Sequence, residues 1–423
     1  MGRMNKGSSV LGLGIRILAG ACIWGSLACA EEPETLPVAP GEQQGSEILP
    51  GVPEGQQGSE VLPGVPEGQS GMEILPGVPE EQQGSEVLPG VPEEQPEAET
   101  LSGVPEGQPE AVAMPSTSEI YIPDPPRRAV RLPVSDISYE NPVNPYDRLK
   151  VPAQIVRIGD WYFITDCYHN QVLYTAGMGT AVKDWKVMAT DVEQPHGIAG
   201  DGQVYLVLDT ENDRVLVFEW KKGRFQNTQR LDGMGRRPHY IVYDEPTESF
   251  FIWSSLTGEM YIVKKEPESG VMYLAEIRKI KELDGFYVRS FTIMGDQILF
   301  PSGNNCYITL ADKHTLEVQA RFPVTGEVSG MACIIPAGGY FYMTVSSDLN
   351  YNQNAATMIR SSNLLLMAQG IYENVYSAFP EKGIPYYINH MNGAYYMTSA
   401  GTRHTVWRFQ VTDEGIQDVR AIY

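Results

Sequence analysis

The sequence predicts an all-β fold, a six-bladed β-propeller preceded by a disordered Pro/Gly/Glu-rich repeat stalk, and three observations carry that expectation. Val151-Pro152-Ala153-Gln154-Ile155, Gln194-Pro195-His196-Gly197-Ile198 and Arg237-Pro238-His239-Tyr240-Ile241 are versions of one segment, each 43 residues after the last. A polar turn follows each version, and then an apolar run: Trp161-Tyr162-Phe163-Ile164, Val204-Tyr205-Leu206-Val207 and Phe250-Phe251-Ile252-Trp253. A second apolar run completes the unit: Val172-Leu173-Tyr174, Val215-Leu216-Val217-Phe218 and Met260-Tyr261-Ile262-Val263. Repeats of about 40–50 residues made of short β-rich runs are the signature of a propeller, one blade per repeat.

Residues 1–30 read as an export signal. Arg3 and Lys6 make a basic start, Ile17 to Leu27 is a short apolar core, and Ala28-Cys29-Ala30 supplies the small residues of a cleavage site. Cys22 and Cys29 leave lipid anchoring open as a second mode, and an uncleaved anchor as a third.

Residues 31–119 contain 19 Glu and no Lys, Arg, Asp or aromatic residue. A 13-residue unit recurs six times over 34–111, with copies starting at Glu34, Glu47, Glu60, Glu73, Glu86 and Glu99. Proline removes backbone donors, glycine adds chain entropy and the carboxylates repel, so an extended disordered stalk is expected. It serves as a spacer near a membrane or cell wall, or as a tract whose Leu-Pro-Gly-Val-Pro a partner reads with avidity. Residues 120–149, with six prolines, are expected to form an irregular arm.

Most of the formal net charge of −22 belongs to the stalk. Residues 120–423 are nearly balanced, with 34 acids against 28 bases, and no basic face points to nucleic acid. Residues 150–423 hold six units. After the three clear ones come Val288–Ile308, a fifth starting at Val328, and a sixth running from Ile384 through Thr405–Phe409 to an outer strand at Ile416–Tyr423. Turns such as Gly200-Asp201-Gly202 and Met391-Asn392-Gly393 supply the positive φ of tight hairpins. Cys167, Cys306 and Cys333 fall in different units and read as small apolar residues.

Pro195-His196-Gly197-Ile198-Ala199, Asp209 and Asn212-Asp213-Arg214-Val215 resemble the NHL-repeat family of propellers, whose units carry Pro-x-Gly-Ile-Ala, a strand-ending Asp and Asn-x-Arg-Val. The unit beginning at Pro152 matches in part through Asp166 and Asn170-Gln171-Val172, and the last three carry Ser302, Ser347 and Ser399 near the Asp position. The resemblance implies the architecture. It does not select an activity, because this architecture hosts binders, scaffolds and enzymes alike.

In such a fold the loops leading into the innermost strands converge at one end of the axis. The leading positions are Ala153, His196, His239, Arg289, Ser329 and Tyr386, and the position after the second strand carries Asp166 and Asp209 in the first two units. Two imidazoles and two carboxylates suit Zn²⁺ or Ca²⁺, so His196, His239, Asp166 and Asp209 are the candidate metal ligands. Arg289 is placed to take a carboxylate and Tyr386 to move a proton. This set is similar to the propeller-type amidating lyases, although a third histidine is missing from the series. The alternative role of the same side chains is to hydrogen-bond loop backbones.

The expected function is therefore an exported, surface-displayed binding protein. It is a monomer that recognises a protein, peptide or glycan through the channel-mouth face. The competing expectation is a metal-dependent lyase or hydrolase using the His/Asp set.

Overall fold

The computed structural model describes residues 118–303 and 305–423. The export signal and the repeats lie outside the described residues.

Six antiparallel sheets follow one another along the chain, at residues 152–189, 198–232, 238–280, 292–323, 331–374 and 384–421. Within each, consecutive strands pair in simple order, so every blade is essentially one continuous stretch. Alternating apolar residues explain the packing. In the first blade Ile155 and Ile164 face one neighbour while Phe163 and Val172 face the other. Cores therefore form between blades. Leu206, Leu208 and Val215 of the second blade pack with Ile241, Phe250 and Ile252 of the third.

The ring closes between the last blade and the first. Ile155, Leu173 and Trp185 share a core with Ala394, Tyr396 and Val406, and Asn389 Nδ2 donates to Ile155 O at 2.9 Å. A hydroxyl bond recurs at the blade junctions. Thr210 Oγ1 donates to Pro238 O at 2.9 Å, Ser290 Oγ to Ala332 O at 2.7 Å, and Thr398 Oγ1 to Ala153 O across the closure at 2.8 Å. These bonds satisfy inner-strand carbonyls that the ladder leaves over.

The arm departs from the irregular course expected of it. Ser118–Tyr121 and Arg127–Arg128 pair with the outer strand of the third blade, and Val130–Arg131 pairs with that of the second. Ser118 and Glu119, assigned from sequence to the stalk, belong to the first of these strands. Asn141 then ties two blades together, its Oδ1 accepting from Phe225 N at 2.9 Å and Tyr174 OH at 3.0 Å. The prolines fall between the short strands, and the outer edges of the blades supply the ladder partners.

The only α-helix among the described residues is Leu364–Ala368, and no helix there is long and apolar enough to cross a membrane. Cys167, Cys306 and Cys333 are free thiols, the first and last of them buried.

Candidate functional site

The inner strands share a local irregularity that builds the axial site. Pairing with the second strand skips a residue between Pro152 and Gln154, Pro238 and Tyr240, and Met331 and Cys333, and it skips two between Pro385 and Ile388. Such a bulge re-aims the extra residue away from the ladder. The bulged residues are Ala153, His239, Ala332, and the pair Tyr386 and Tyr387. In the fifth blade the structural counterpart is thus Ala332 rather than Ser329, which lies just before the inner strand, Met331–Ala337.

The side chains meet across the axis. His239 belongs to the third blade and Tyr387 to the sixth, opposite one another in a six-membered ring, yet His239 Nδ1 is 2.8 Å from Tyr387 OH. The axis is therefore plugged by side chains at this level. His239 and Tyr387 are both 0% exposed, and Tyr386 and Tyr387 pack ring to ring at 4.3 Å.

Carbonyl partners fix the imidazole tautomers. His239 Nδ1 lies 3.1 Å from Arg289 O, which can only accept, so Nδ1 carries the proton. Nε2 then accepts from Tyr287 OH at 2.9 Å and faces Tyr386 OH at 3.3 Å. His196 Nδ1 likewise donates to Gln194 O at 2.7 Å, and Cys167 Sγ sits 3.8 Å from its Nε2.

Burial, reinforced by the Arg237 charge, pushes His196 down to about 3. Burial, with His196 and Arg237 nearby, holds His239 well below its ordinary range. The phenols of Tyr386 and Tyr387 and the Cys167 thiol are all pushed up, chiefly by burial. Every one of these groups rests in its neutral form near pH 7.

Arg289 is half-buried beside this plug. Its Nη1 donates to Ser346 Oγ at 3.0 Å and Met331 O at 3.3 Å, and its guanidinium lies 4.8 Å from the Tyr287 ring centroid. No ion pair to Arg289 occurs among the described residues, whereas the neighbouring Arg237 pairs with Glu211.

Asp166 and Asp209 are engaged elsewhere. Asp166 Oδ1 accepts from Lys150 N at 2.8 Å, while Oδ2 meets His169 Nδ1 at 2.6 Å and Gln171 Nε2 at 3.1 Å. Asp209 Oδ1 accepts from Glu193 N at 2.7 Å and from Asn212 Nδ2 at 2.9 Å, and Oδ2 accepts from Arg214 Nε at 2.5 Å. In the third blade Ser254 Oγ accepts from Arg236 N at 2.8 Å. Lys150, Glu193 and Arg236 are again 43 residues apart. One recurring staple thus fixes the loop leading into each of these inner strands.

Of the residues singled out from sequence, the structure brings His196, His239, Arg289 and Tyr386 together and leaves Asp166 and Asp209 as loop staples. Among the described residues, no three His, Cys, Asp or Glu side chains form a group that could hold a metal. The physical reason is directional: His239 turns both nitrogens to phenols and a carbonyl, and the carboxylates turn to loop N–H groups. Tyr287, Tyr387 and Ser346 also join the site, as does Cys167, which reads from sequence as a small apolar residue.

No family model matches the chain, and no curated protein matches its sequence. Among solved structures it is similar to a putative 6-phosphogluconolactonase from Bacteroides uniformis, at 12% identity and TM-score 0.46, covering 62% of this chain and 83% of that one. It is also similar to Kuenenia stuttgartiensis hydrazine synthase, at 15% identity and TM-score 0.45, covering 65% and 79%. A nidogen/laminin complex gives 14% identity and TM-score 0.38, covering 54% and 79%.

Proposed function

We propose that this propeller is a binding module that receives an anionic group of a protein, peptide or glycan at the plugged end of its axis. The observation that carries the reading is Arg289, a cation oriented by a carbonyl, a hydroxyl and an aromatic ring but paired with no carboxylate among the described residues. A guanidinium held in this way is pre-organised for a carboxylate. The half-buried Tyr287 and Tyr386 rings beside it offer flat surface to a sugar or a peptide side chain.

The chemistry of the plug favours binding over catalysis. A nucleophile or general base needs a reactive protonation state near neutral pH. Here burial keeps the imidazoles, phenols and thiol neutral, with their hydrogen bonds directed at one another. In the same reading, residues 1–30 direct export and the repeats hold the module away from the cell envelope.

The test is a titration of the full chain with tetrapeptides bearing free or amidated C-termini, and with uronic-acid oligosaccharides. Carboxylate-dependent binding that falls about tenfold or more in Arg289→Met is expected. If the intact protein takes up none of these carboxylates, the reading fails. Mass spectrometry of the secreted chain, with a new N-terminus at Glu31 expected, checks export separately.

A further inference from the structure

A phenol has one proton to give. Tyr387 OH lies 2.6 Å from Arg289 O, and a carbonyl only accepts, so that proton points at Arg289. The same hydroxyl is 2.8 Å from His239 Nδ1. With its own proton already directed, it accepts there from Nδ1–H, which also lies 3.1 Å from Arg289 O. On the other side of the ring, Nε2 accepts from Tyr287 OH at 2.9 Å. The donors therefore all run one way, from Tyr287 through His239 and Tyr387 to the Arg289 carbonyl.

This chain closes on Arg289 from both ends. Tyr287, where it begins, carries the Arg289 guanidinium 4.8 Å from its ring centroid. The Arg289 carbonyl, where it ends, fixes the main chain from which that guanidinium extends. Hydrogen bonds aligned head to tail strengthen one another, and water does not compete where His239 and Tyr387 are fully buried. Ser346 Oγ and Met331 O steady Nη1 alone. The main-chain position of Arg289 is thus set by the plug, and a receptor is only as well aimed as the groups that support it.

We infer that Tyr387 is the positioning residue of the axial site. It reaches across the axis from the sixth blade, holds the Arg289 carbonyl and so aims the guanidinium, while its burial keeps it out of reach of the ligand. This role rests on the reading of Arg289 as the receptor for a carboxylate.

Two measurements on the full chain test it, and the first needs no ligand. The Nε–H resonance of Arg289, identified by its loss in Arg289→Met, should show a high heteronuclear NOE in the parent and a low one in Tyr387→Phe. Tyr240→Phe is the control. It trims another buried phenol, packed on Tyr387 at 4.9 Å between ring centroids, and should leave that NOE high. The second measurement is a titration with N-acetyl-tetraalanine bearing a free C-terminus, and with a uronic-acid oligosaccharide. Tyr387→Phe should weaken carboxylate binding about threefold to tenfold, the equivalent of one hydrogen bond. Added to Arg289→Met, it should weaken binding no further, because it acts through that residue. Thermal melts of each variant show that the fold is retained. The role is overturned if the Arg289 Nε–H stays as rigid in Tyr387→Phe as in the parent, or if a carboxylate that depends on Arg289 binds that variant as tightly as the parent. A parent that takes up neither probe overturns the carboxylate reading itself, while the NOE still decides whether Tyr387 fixes Arg289.

Discussion

His196 and His239 come from different blades, yet their rings stack with centroids 4.0 Å apart and planes tilted by 34°. Burial, with the Arg237 and Arg289 guanidiniums nearby, disfavours a proton on either ring, so both rest neutral. The stack is thus a packing unit made of polar rings. It ties the loop before Ile198 to the bulge at His239, with Tyr387 reaching in from the opposite blade.

Stability should fall as pH drops from about 6.5, the ordinary histidine value. Both groups have folded pKa values below that of the unfolded chain, so in mild acid the unfolded state binds more protons than the folded one. The stabilisation is complete above the unfolded value and is lost progressively as pH falls toward the folded one, with a slope of up to about 1.4 kcal/mol per pH unit for each histidine. Urea titrations between pH 7 and pH 4 check this, with the His196→Gln/His239→Gln variant expected to show a shallower slope. Imidazole ¹³C shifts should report neutral, Nδ1-protonated rings in the folded protein at pH 5.

Removing the carboxylate of Asp209 should be costly. It is fully buried and serves Glu193 N, Asn212 and Arg214 together. Asp209→Ala leaves a buried donor and a cation without their partner, with an expected loss of about 3–5 kcal/mol. Asp209→Asn keeps an acceptor for the backbone N–H, so its loss should be smaller. Equal losses in the two variants, measured by urea denaturation, would show that the backbone staple is not what the carboxylate supplies.

The blades were legible because their cores lie between neighbours, so each strand must repeat the same apolar alternation, as Phe163, Leu206 and Phe251 do. The period also placed His196 and His239 in matching slots. That Tyr387 reaches His239 was not legible. Simple alternation sends it to the opposite side from Tyr386, and only the bulge between Pro385 and Ile388 lets both phenols reach His239. The roles of Asp166 and Asp209 were hidden for a related reason. Their positions at strand ends are periodic, but the direction each carboxylate takes depends on loop N–H groups about 16 residues earlier. The arm's strands escaped notice because two-residue pairings carry no period at all.

Gly330 marks where backbone meets backbone at the mouth of the fifth blade. A Cβ there would run into the backbone O and N of Ser347 as well as its Oγ, and the backbone atoms cannot move aside. Gly330 N also donates to Ser347 O at 2.9 Å, and Ser346 Oγ, which holds Arg289, donates to Gly330 O at 2.9 Å. Gly330→Ala should therefore cost about 1–3 kcal/mol and should also loosen Arg289. The expected readout is a lower Tm together with weaker binding of carboxylate probes. Normal stability with normal probe binding would contradict the close approach.

The three thiols of the propeller should separate by accessibility. Cys167 is packed against His196, and Cys333 lies in the core between the inner strands with Phe291 and Tyr387. Burial raises both thiols above their ordinary value and so removes the thiolate that an alkylating agent needs. Cys306 is only partly covered, and although burial raises it too, Ser329 partly offsets the rise. Iodoacetamide applied to the native protein near pH 8 should therefore modify Cys306 first. Cys167 and Cys333 should react only at the rate of unfolding. Peptide mapping by mass spectrometry over time gives the order, and early modification of Cys167 would mean that the ring opens between its first two blades far more readily than their shared core implies.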